Sequence, residues 1–576
     1  MWVLGIAGSH NSAAALIRDG SVVAAVQTER LTRIKRHPIQ LSRMSHDAVR
    51  VIQYCLDHAG IGLPDVDVIA TCSPYEVEAA FAFKDPSASP AGLPPFVSVP
   101  HHLAHAEYAI HYAPAAPSIV LVSDGSGTSE DQRALLGITE READPVLHAS
   151  PDGKESISAY AYDGRELRLI HRIAHGLAPQ PPVGEVFAKP YGMVNVSLGH
   201  VWQWAAHYCH GSINEAGKVM GLAPFGDPAA HRDLRTVRMT PDGDLVTDFR
   251  GLYERFDQPN LAARDVTGMS HYEDLAAHVQ EVTNDFLCDL VRFLRAKSGV
   301  DTFCYSGGVA LNGIANQHLI DRLGIDLHMN GSCEDNGTAI GAALAVYHAR
   351  TGTRIAEPVT DYYGREYSAA EIEWAVERAG CRAERYAPAQ VVAQTAAALA
   401  DGAVAGWFQG RSEFGPRALG NRSILADPRN PDMQSILNKR VKGREAFRPF
   451  APAVLEDAAS EWFELDGPSP MMLRVVRVRS RQKLPAITHV DGSARVQTVS
   501  REQNARFHEL LTAFGKRTGV PVLLNTSFNV AGEPIVESPG DALRTFLASD
   551  MDLLVLGDHV IQARGEFPLR GNFSAL

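Results

Sequence analysis

Residues 2–27 read WVLGIAGSHNSAAALIRDGSVVAAVQ: an apolar strand, a polar turn, then two apolar runs joined by Asp19-Gly20. Asp-Gly between such runs is a strong hairpin signal, because the tight turn needs positive φ at both central residues. The pattern returns at residues 118–138, SIVLVSDGSGTSEDQRALLGI, where an apolar strand again breaks into an Asp/Ser/Gly turn before a second run. Two such units predict an internal duplication, each half followed by helices.

The helices are legible by their period. VIQYCLDHAG at 51–60 is amphipathic and stops at glycine, and EDLAAHVQEVTNDFLCDLVRFLRA at 273–296 keeps apolar residues at helical spacing. FCYSGGVALNGIANQHLI at 303–320 predicts a strand, a Gly-Gly turn and a helix start, and GSCEDNGTAIGAALAVYHA at 331–349 a polar turn opening a small-residue helix. The stretch 150–260 shows no steady period. Irregularity around 354–370 predicts the linker, dividing the chain into domains 1–355 and 365–576, with the tail FPLRGNFSAL packed on the second or mobile.

At 576 residues, 45% apolar and 21% charged, the chain exceeds one hydrophobic core and reads as a multidomain α/β enzyme. A net charge of −13 argues against a general nucleic-acid or membrane-surface role, since both favour basic faces. MWVLGIAGSHNS lacks the pattern of a signal peptide, and no apolar run reaches the roughly 18 residues of a membrane span. Seven scattered cysteines without CxxC pairs suit reduced thiols in a cytoplasm.

Residues 97–112, VSVPHHLAHAEYAIHY, crowd three histidines into five positions. On a helix His101 and His105 share a face, while His102 points about 100° away. Neutral imidazoles at that spacing form a good divalent-metal pair, and Asp124 and Asp335, near the polar turns, could complete two nitrogens and two oxygens. Satisfied core histidines are the competing reading. His102, Glu107 and His111 read as partners or surface.

Residues 410–452, GRSEFGPRALGNRSILADPRNPDMQSILNKRVKGREAFRPFAP, concentrate cations in an acidic chain: Arg411, Arg417, Arg422, Arg429, Lys439, Arg440, Lys442, Arg444 and Arg448. Interleaved glycines and prolines suit turns that aim backbone N–H groups and guanidinium forks at one anion, against the alternative of a solvated basic face. Arg495 and the Asn525–Asn529 loop add further donors, a set that fits a doubly phosphorylated or nucleotide-plus-phosphate substrate. No GxxxxGK[ST] is present, so this is not a P-loop. In the first half, the turns at 8–13 and 124–128, with Ser306-Gly-Gly308 and Gly331, look like the phosphate and adenosine loops of an actin- or hexokinase-type ATPase.

Taken together, GRSEFGPRALGNRSILADPR, FRPFAP, DGSARVQTV, LLNTSFNVAGEPIV, HHLAHA, GKVMGLAPFG and SGGVALN resemble the O-carbamoyltransferase family of the nodulation, cephalosporin and tobramycin enzymes. The resemblance implies a duplicated actin-like ATPase (ASKHA) domain, similar to the enzyme that transfers threonylcarbamoyl to tRNA, followed by a YrdC-like α/β domain. It implies that carbamoyl phosphate and ATP, with Mg2+, form carbamoyl adenylate and pyrophosphate in the second domain, held by Arg417, Lys442, Arg448, Arg495 and Ser527, with Asn525 and Asn529 in the same loop. Gly125, Lys218, Gly307, Gly308 and Asn312 are the implied nucleotide contacts of the first domain. There His101, His105, Asp124 and Asp335 match the family's metal ligands, for iron(II) or another divalent ion acting as a Lewis acid. His10 matches the family's general base and Lys35, in ERLTRIKRH, a lysine near the reacting group; a turn histidine and a solvated lysine are their bland readings.

Two positions depart from the family pattern: Asn11 stands where many relatives carry Asp, and Ser412 where Met is common. The implied partner is a small hydroxylated natural product, an antibiotic or its sugar, carbamoylated in the cytoplasm by a protein for which a homodimer is one expected assembly. Residues 129–210 are the expected lining of the acceptor pocket. The alternatives are hydrogenase-maturation chemistry, whose acylphosphatase and cysteine-rich zinc-finger regions are missing, and a non-catalytic nucleotide-binding scaffold.

Overall fold

The computed structural model describes residues 1–39, 46–72, 94–112, 117–129, 153–175, 196–248, 250–479 and 483–563. The second run expected at 133–138, much of the expected acceptor-pocket stretch and the tail 567–576 lie outside them. The fold is mixed α/β and divides into two units: Met1–Val23 with Pro38–Val359, and Ala24–His37 with Thr360–Leu576. Residues 24–37 thus belong by contact to the second unit, although the periodic pattern places them in the first half of the chain. Among the described residues, no helix is long and apolar enough to cross a membrane.

In the first unit, β1 (Trp2–Ala7), β2 (Ala13–Arg18), β3 (Ser21–Gln27), β4 (Val68–Cys72) and β5 (Phe96–Ser98) form a sheet of order β3-β2-β1-β4-β5, whose edge strand β3 carries the chain into the second unit at Ala24. β1 runs antiparallel to β2 and parallel to β4. Asp19 and Gly20 turn β2 into β3 with φ of 51° and 87°, as the Asp-Gly signal requires. A second sheet repeats the order. β6 (Ser118–Ser123) is antiparallel to β7 (Lys154–Tyr162), which pairs with β8 (Leu167–His175). After a small hairpin of β9 (Val237–Met239) and β10 (Leu245–Thr247), β11 (Thr302–Ser306) joins β6 in parallel and takes β12 (Asp326–Met329) on its other side. Read as β8-β7-β6-β11-β12, this is the first sheet's arrangement again, so the duplication is present in the topology.

The stretch 150–260, irregular in sequence, therefore holds the hairpin β7–β8 and a helix, Leu198–His210. Register shifts between Glu155 and Ile157 and between Ala159 and Tyr160 break the alternation that would have revealed the strands.

The expected helices appear at His46–Ala59, Ser270–Ser298, Gly313–Leu323 and Gly337–Thr351. The last is buried along most of its length and packs on both β1 and the helix His101–His111. Its small residues permit this: a Cβ on Gly341 would lie 1.8 Å from the carbonyl oxygen of Ala104. Close approach at that point brings the start of one helix and the first turns of the other together, which sets the site below.

The second unit is built on β13 (Glu384–Arg385), β14 (Ala405–Phe408), β15 (Arg422–Ala426), β16 (Ala451–Leu455), β17 (Arg474–Arg477), β18 (Ser493–Val499), β19 (Val522–Ser527), β20 (Leu553–Leu556) and β21 (His559–Gln562). They form one mixed sheet, β13-β21-β20-β14-β15-β19-β16-β18-β17. Helices Pro388–Ala400 and Ala505–Thr518 pack on each other, and the core between sheet and helices is filled by residues such as Trp407, Leu425, Phe507, Phe514 and Leu524. The segment 24–37 is fastened here by Gln27 to the carbonyl of Phe414 (2.6 Å), Arg30 to that of Gly415 (2.6 Å) and Arg33 to that of Ile535 (2.7 Å).

Candidate functional site

In the first unit the helix His101–His111 begins behind Pro100, and one turn separates His101 from His105. Asp124 follows β6, and Asp335 sits in the turn before Gly337–Thr351. All four side chains are buried, and their ligand atoms lie within 4.8 Å of one another. Nε2 of His101 is 3.0 Å from Oδ2 of Asp124 and 3.6 Å from Oδ1 of Asp335, while Nε2 of His105 lies 3.8 Å from an oxygen of each. Burial opposes charge on His101, but Cys72 and the hydrogen bonds that the imidazole donates to Asp124 and Asp335 raise its pKa well above that of free imidazole. Burial and mutual repulsion would raise the two carboxyls. The histidines outweigh both, so each is held below the usual carboxylate range.

The donor set suits a divalent cation. Ser306 Oγ donates to the carbonyl of Cys333 (3.3 Å), so it accepts from Nδ1–H of His105 (3.2 Å). That tautomer leaves the lone pair of Nε2 on the cluster side, and this buried nitrogen has no hydrogen-bond partner. Two imidazoles and two ionised carboxylates in one buried spot are the chemistry of a transition-metal site.

His10, in the turn between β1 and β2, reaches the same place: its Nδ1 is 3.4 Å from Oδ2 of Asp335, with the side chain 46% exposed. Its neighbour Asn11 donates its side-chain amide to Glu334 at 2.8 Å. Gly308 donates its N–H to Oδ1 of Asp124 (3.1 Å), and Gly307, at φ 95°, lets the loop press against Ser123. Gly125 offers its carbonyl to Ser197 (2.7 Å). Asn312 caps the helix Gly313–Leu323 and donates to Gln280 (3.1 Å); Lys218 lies 3.5 Å from Glu215.

The second unit gathers cations. Lys442, 4% exposed, ends a π-helical turn and donates to Oγ of Ser527 (3.3 Å), Oδ1 of Asn529 (2.8 Å) and both their carbonyls. Burial lowers its pKa well below that of free lysine, and Arg444, Arg448 and Lys35 add to this. Arg495 is lowered by burial and then by Arg417, Arg444 and Arg448; Arg444 is brought to about 9 by burial and Arg448. The mutual depression marks a desolvated group of like charges, in which Glu445 lies 3.8 Å from Arg448. Such a group is stabilised by a polyanion.

A family model for the carbamoyltransferase N-terminus matches residues 2–84 and 81–344, and one for the carbamoyltransferase C-terminus matches 396–563. The chain belongs to the carbamoyltransferase family. As such it is an enzyme that transfers carbamoyl groups. It is 38% identical to nodulation protein NolNO of Sinorhizobium fredii over 97% of this chain and 80% of that one. It is 32% identical to the 3'-hydroxymethylcephem-O-carbamoyltransferase of Streptomyces clavuligerus, over 60% and 64% of the two chains. Among solved structures, full-length HypF in its phosphate- and nucleotide-bound form is similar at 14% identity and a TM-score of 0.39, covering 62% of this chain and 56% of that one.

The carbamoyltransferase's arginine block divides in two. Arg411 donates to the carbonyls of Gly364 and Tyr363, Arg422 lies over the ring of Phe408 and bonds the Gln409 carbonyl, and Arg429 pairs with Asp427. These hold the fold, whereas Arg417, Lys442, Arg444 and Arg448 belong to the cation group. Asn525 donates its side-chain amide to the Ala418 carbonyl (3.0 Å) and to Gln497 (2.8 Å), which braces the loop that carries Ser527 and Asn529. Lys35 is counted with the second unit and is one of the cations that lower the pKa of Lys442. Sequence reasoning did not place Ser306 and Cys72 beside the histidines, because single polar residues at strand ends carry no pattern of their own. His102 turns away from the cluster to Ser158 (2.7 Å), Glu107 pairs with Arg354 (2.9 Å) and His111 with Glu357 (3.1 Å).

Proposed function

We propose that this carbamoyltransferase is an ATP-dependent O-carbamoyltransferase that carbamoylates a hydroxyl of a small natural product. In this reading the first unit is an actin-like transfer domain, a view supported by its repeated sheet order. The second is a YrdC-like domain that makes carbamoyl adenylate. The observation that carries the proposal is the cation group around Lys442, whose ammonium donates to the Ser527 hydroxyl and the Asn529 amide oxygen.

There Arg417, Lys442, Arg444, Arg448 and Arg495 would hold the phosphates of carbamoyl phosphate and ATP and neutralise charge as it develops. Adenylate and pyrophosphate together account for ATP. Carbamoyl phosphate must therefore lose its phosphate to water, and the carbamate oxygen then attacks the α-phosphorus. In the first unit, His101, His105, Asp124 and Asp335 would hold iron(II) or another divalent ion, which when bound supplies Lewis-acid polarisation of carbamoyl or phosphate oxygens. His10, with Nδ1 toward Asp335, would take the proton of the acceptor hydroxyl on Nε2 as its oxygen attacks the carbamoyl carbon and AMP leaves. The hydroxymethyl substrate named for the cephem relative supports a primary alcohol as acceptor. Seven free cysteines support a cytoplasmic setting.

The test is carbamoylation of a panel of hydroxylated compounds by metal-loaded protein, read by mass. The proposal expects a gain of one carbamoyl group that requires both ATP and carbamoyl phosphate. A gain that persists when ATP is withheld contradicts it.

A further inference from the structure

The ligand helix His101–His111 starts without a side-chain cap, because its N-cap residue is Pro100. The first N–H groups of any helix lack partners within it, and buried ones must find them elsewhere. Here they come from another part of the sheet. The N–H of His101 donates to Oγ1 of Thr128 (2.9 Å), and the N–H of His102 to Oε2 of Glu155 (3.4 Å). The same Glu155 oxygen accepts the N–H of Thr128 (3.0 Å). One carboxylate therefore ties the start of the helix to the loop after β6 that carries Asp124.

The surroundings of Glu155 leave it little freedom. It is fully buried, and its other oxygen pairs with Nη2 of Arg172 at 3.1 Å. Arg172, 2% exposed, is itself held by Oγ of Ser158 (3.1 Å) and the hydroxyl of Tyr160 (3.2 Å). Ser158 also meets Nδ1 of His102 at 2.7 Å, so the imidazole that is not directed at the cluster completes this frame. Backbone bonds from Gly127 to the Glu155 carbonyl (2.7 Å) and from Asp124 to the Ser156 carbonyl (3.1 Å) fix the loop to β7. A Cβ on Gly127 would come within 2.6 Å of the Glu155 carboxylate and 2.8 Å of His102.

We infer that Glu155 and Arg172 are positioning residues for the cluster His101–His105–Asp124–Asp335: through Thr128 and the first turn of the helix, they set the spacing of His101 and Asp124. Neither touches the cluster, and neither was singled out by sequence. A carboxylate at a helix start is favoured by the helix dipole, and its pairing with Arg172 allows it to stay ionised when buried. Outer partners that orient metal ligands typically alter metal affinity 10- to 100-fold when lost. The inference rests on the metal reading proposed above.

Manganese(II) titration of the full-length protein by calorimetry separates the two. Glu155→Gln keeps the shape but removes the charge, and Thr128→Val removes the acceptor of the His101 N–H while leaving the ion pair. For each variant that melts cooperatively without metal, the inference expects a manganese(II) Kd raised by about 10- to 100-fold. Should Glu155→Gln fail to fold, Thr128→Val decides. Folded variants with the wild-type Kd overturn the inference and leave the metal site standing. Wild-type protein that shows no saturable binding overturns both.

Discussion

Nδ1 of His10 lies 3.4 Å from Oδ2 of Asp335, so a half-exposed imidazole on the turn after the first strand reaches the buried cluster. Replacing His10 with Ala removes that imidazole from the turn. Transfer from pre-made carbamoyl adenylate should fall by about 10²- to 10⁴-fold, the usual worth of a general base, while pyrophosphate release continues. Single-turnover assays of the two half-reactions check this, and unaltered transfer removes His10 as the base.

Arg448→Ala should have the opposite effect. Arg448 depresses the pKa of Lys442, Arg444 and Arg495, so it lies within the cation group. Adenylate formation should be abolished, while transfer of supplied adenylate survives. Loss of both half-reactions in folded protein contradicts the division of labour between units.

A bound divalent ion should stabilise the first unit by mass action. At one hundred times its Kd, manganese(II) or iron(II) should add about 2.7 kcal/mol, visible as a higher melting temperature that a chelator reverses. Asp335→Asn should lose most of that response. An equal metal response in the variant counts against Asp335 as a ligand.

Gly341→Ala places a methyl group where the Ala104 carbonyl already sits, 1.8 Å from the added Cβ. The two helices that bring His101, His105 and Asp335 together must then separate. Overpacking of this kind costs about 1–3 kcal/mol, and metal affinity should fall with it. Denaturant unfolding checks the first effect and metal titration the second.

Stability should also decline in mild acid. Burial holds His175 at about 3, helped by His200 and Lys154, and His278 at about 4, helped by His231. Both therefore stay neutral in the fold, while the unfolded chain takes up protons below about 6.5. Their contribution is complete above that pH and is lost as pH falls toward the folded values, each by about 1.4 kcal/mol per unit. Urea midpoints at pH 7.5 and 5.5 should show this fall, and His278→Gln should flatten it. A midpoint unchanged between the two pH values contradicts the prediction.

Much of the architecture was legible because short-range rules governed it. Asp19-Gly20 announced its hairpin, and the four-residue spacing of His101 and His105 put both on one helix face. The pairing of these histidines with Asp335 depends on Gly341 meeting Ala104, a contact between residues far apart in the chain that no local period encodes. The allegiance of residues 24–37 was hidden for a related reason: β3 starts in the first unit's sheet, yet Gln27, Arg30 and Arg33 bind carbonyls of the second unit. The strands β7 and β8 were hidden by their register shifts. The side-chain nitrogen of Asn525 is engaged by Ala418 and Gln497, partners that its motif does not announce. A motif reports which residues stand together, but not which of them face the ligand.

The central claim is that the second unit activates carbamoyl phosphate with ATP. Its most direct test is pyrophosphate released from ATP by metal-loaded wild-type protein, with and without carbamoyl phosphate and in the absence of any acceptor. The account predicts release that depends on carbamoyl phosphate and disappears in Arg448→Ala. Well-folded, metal-loaded protein that releases none, or releases it equally without carbamoyl phosphate, contradicts it.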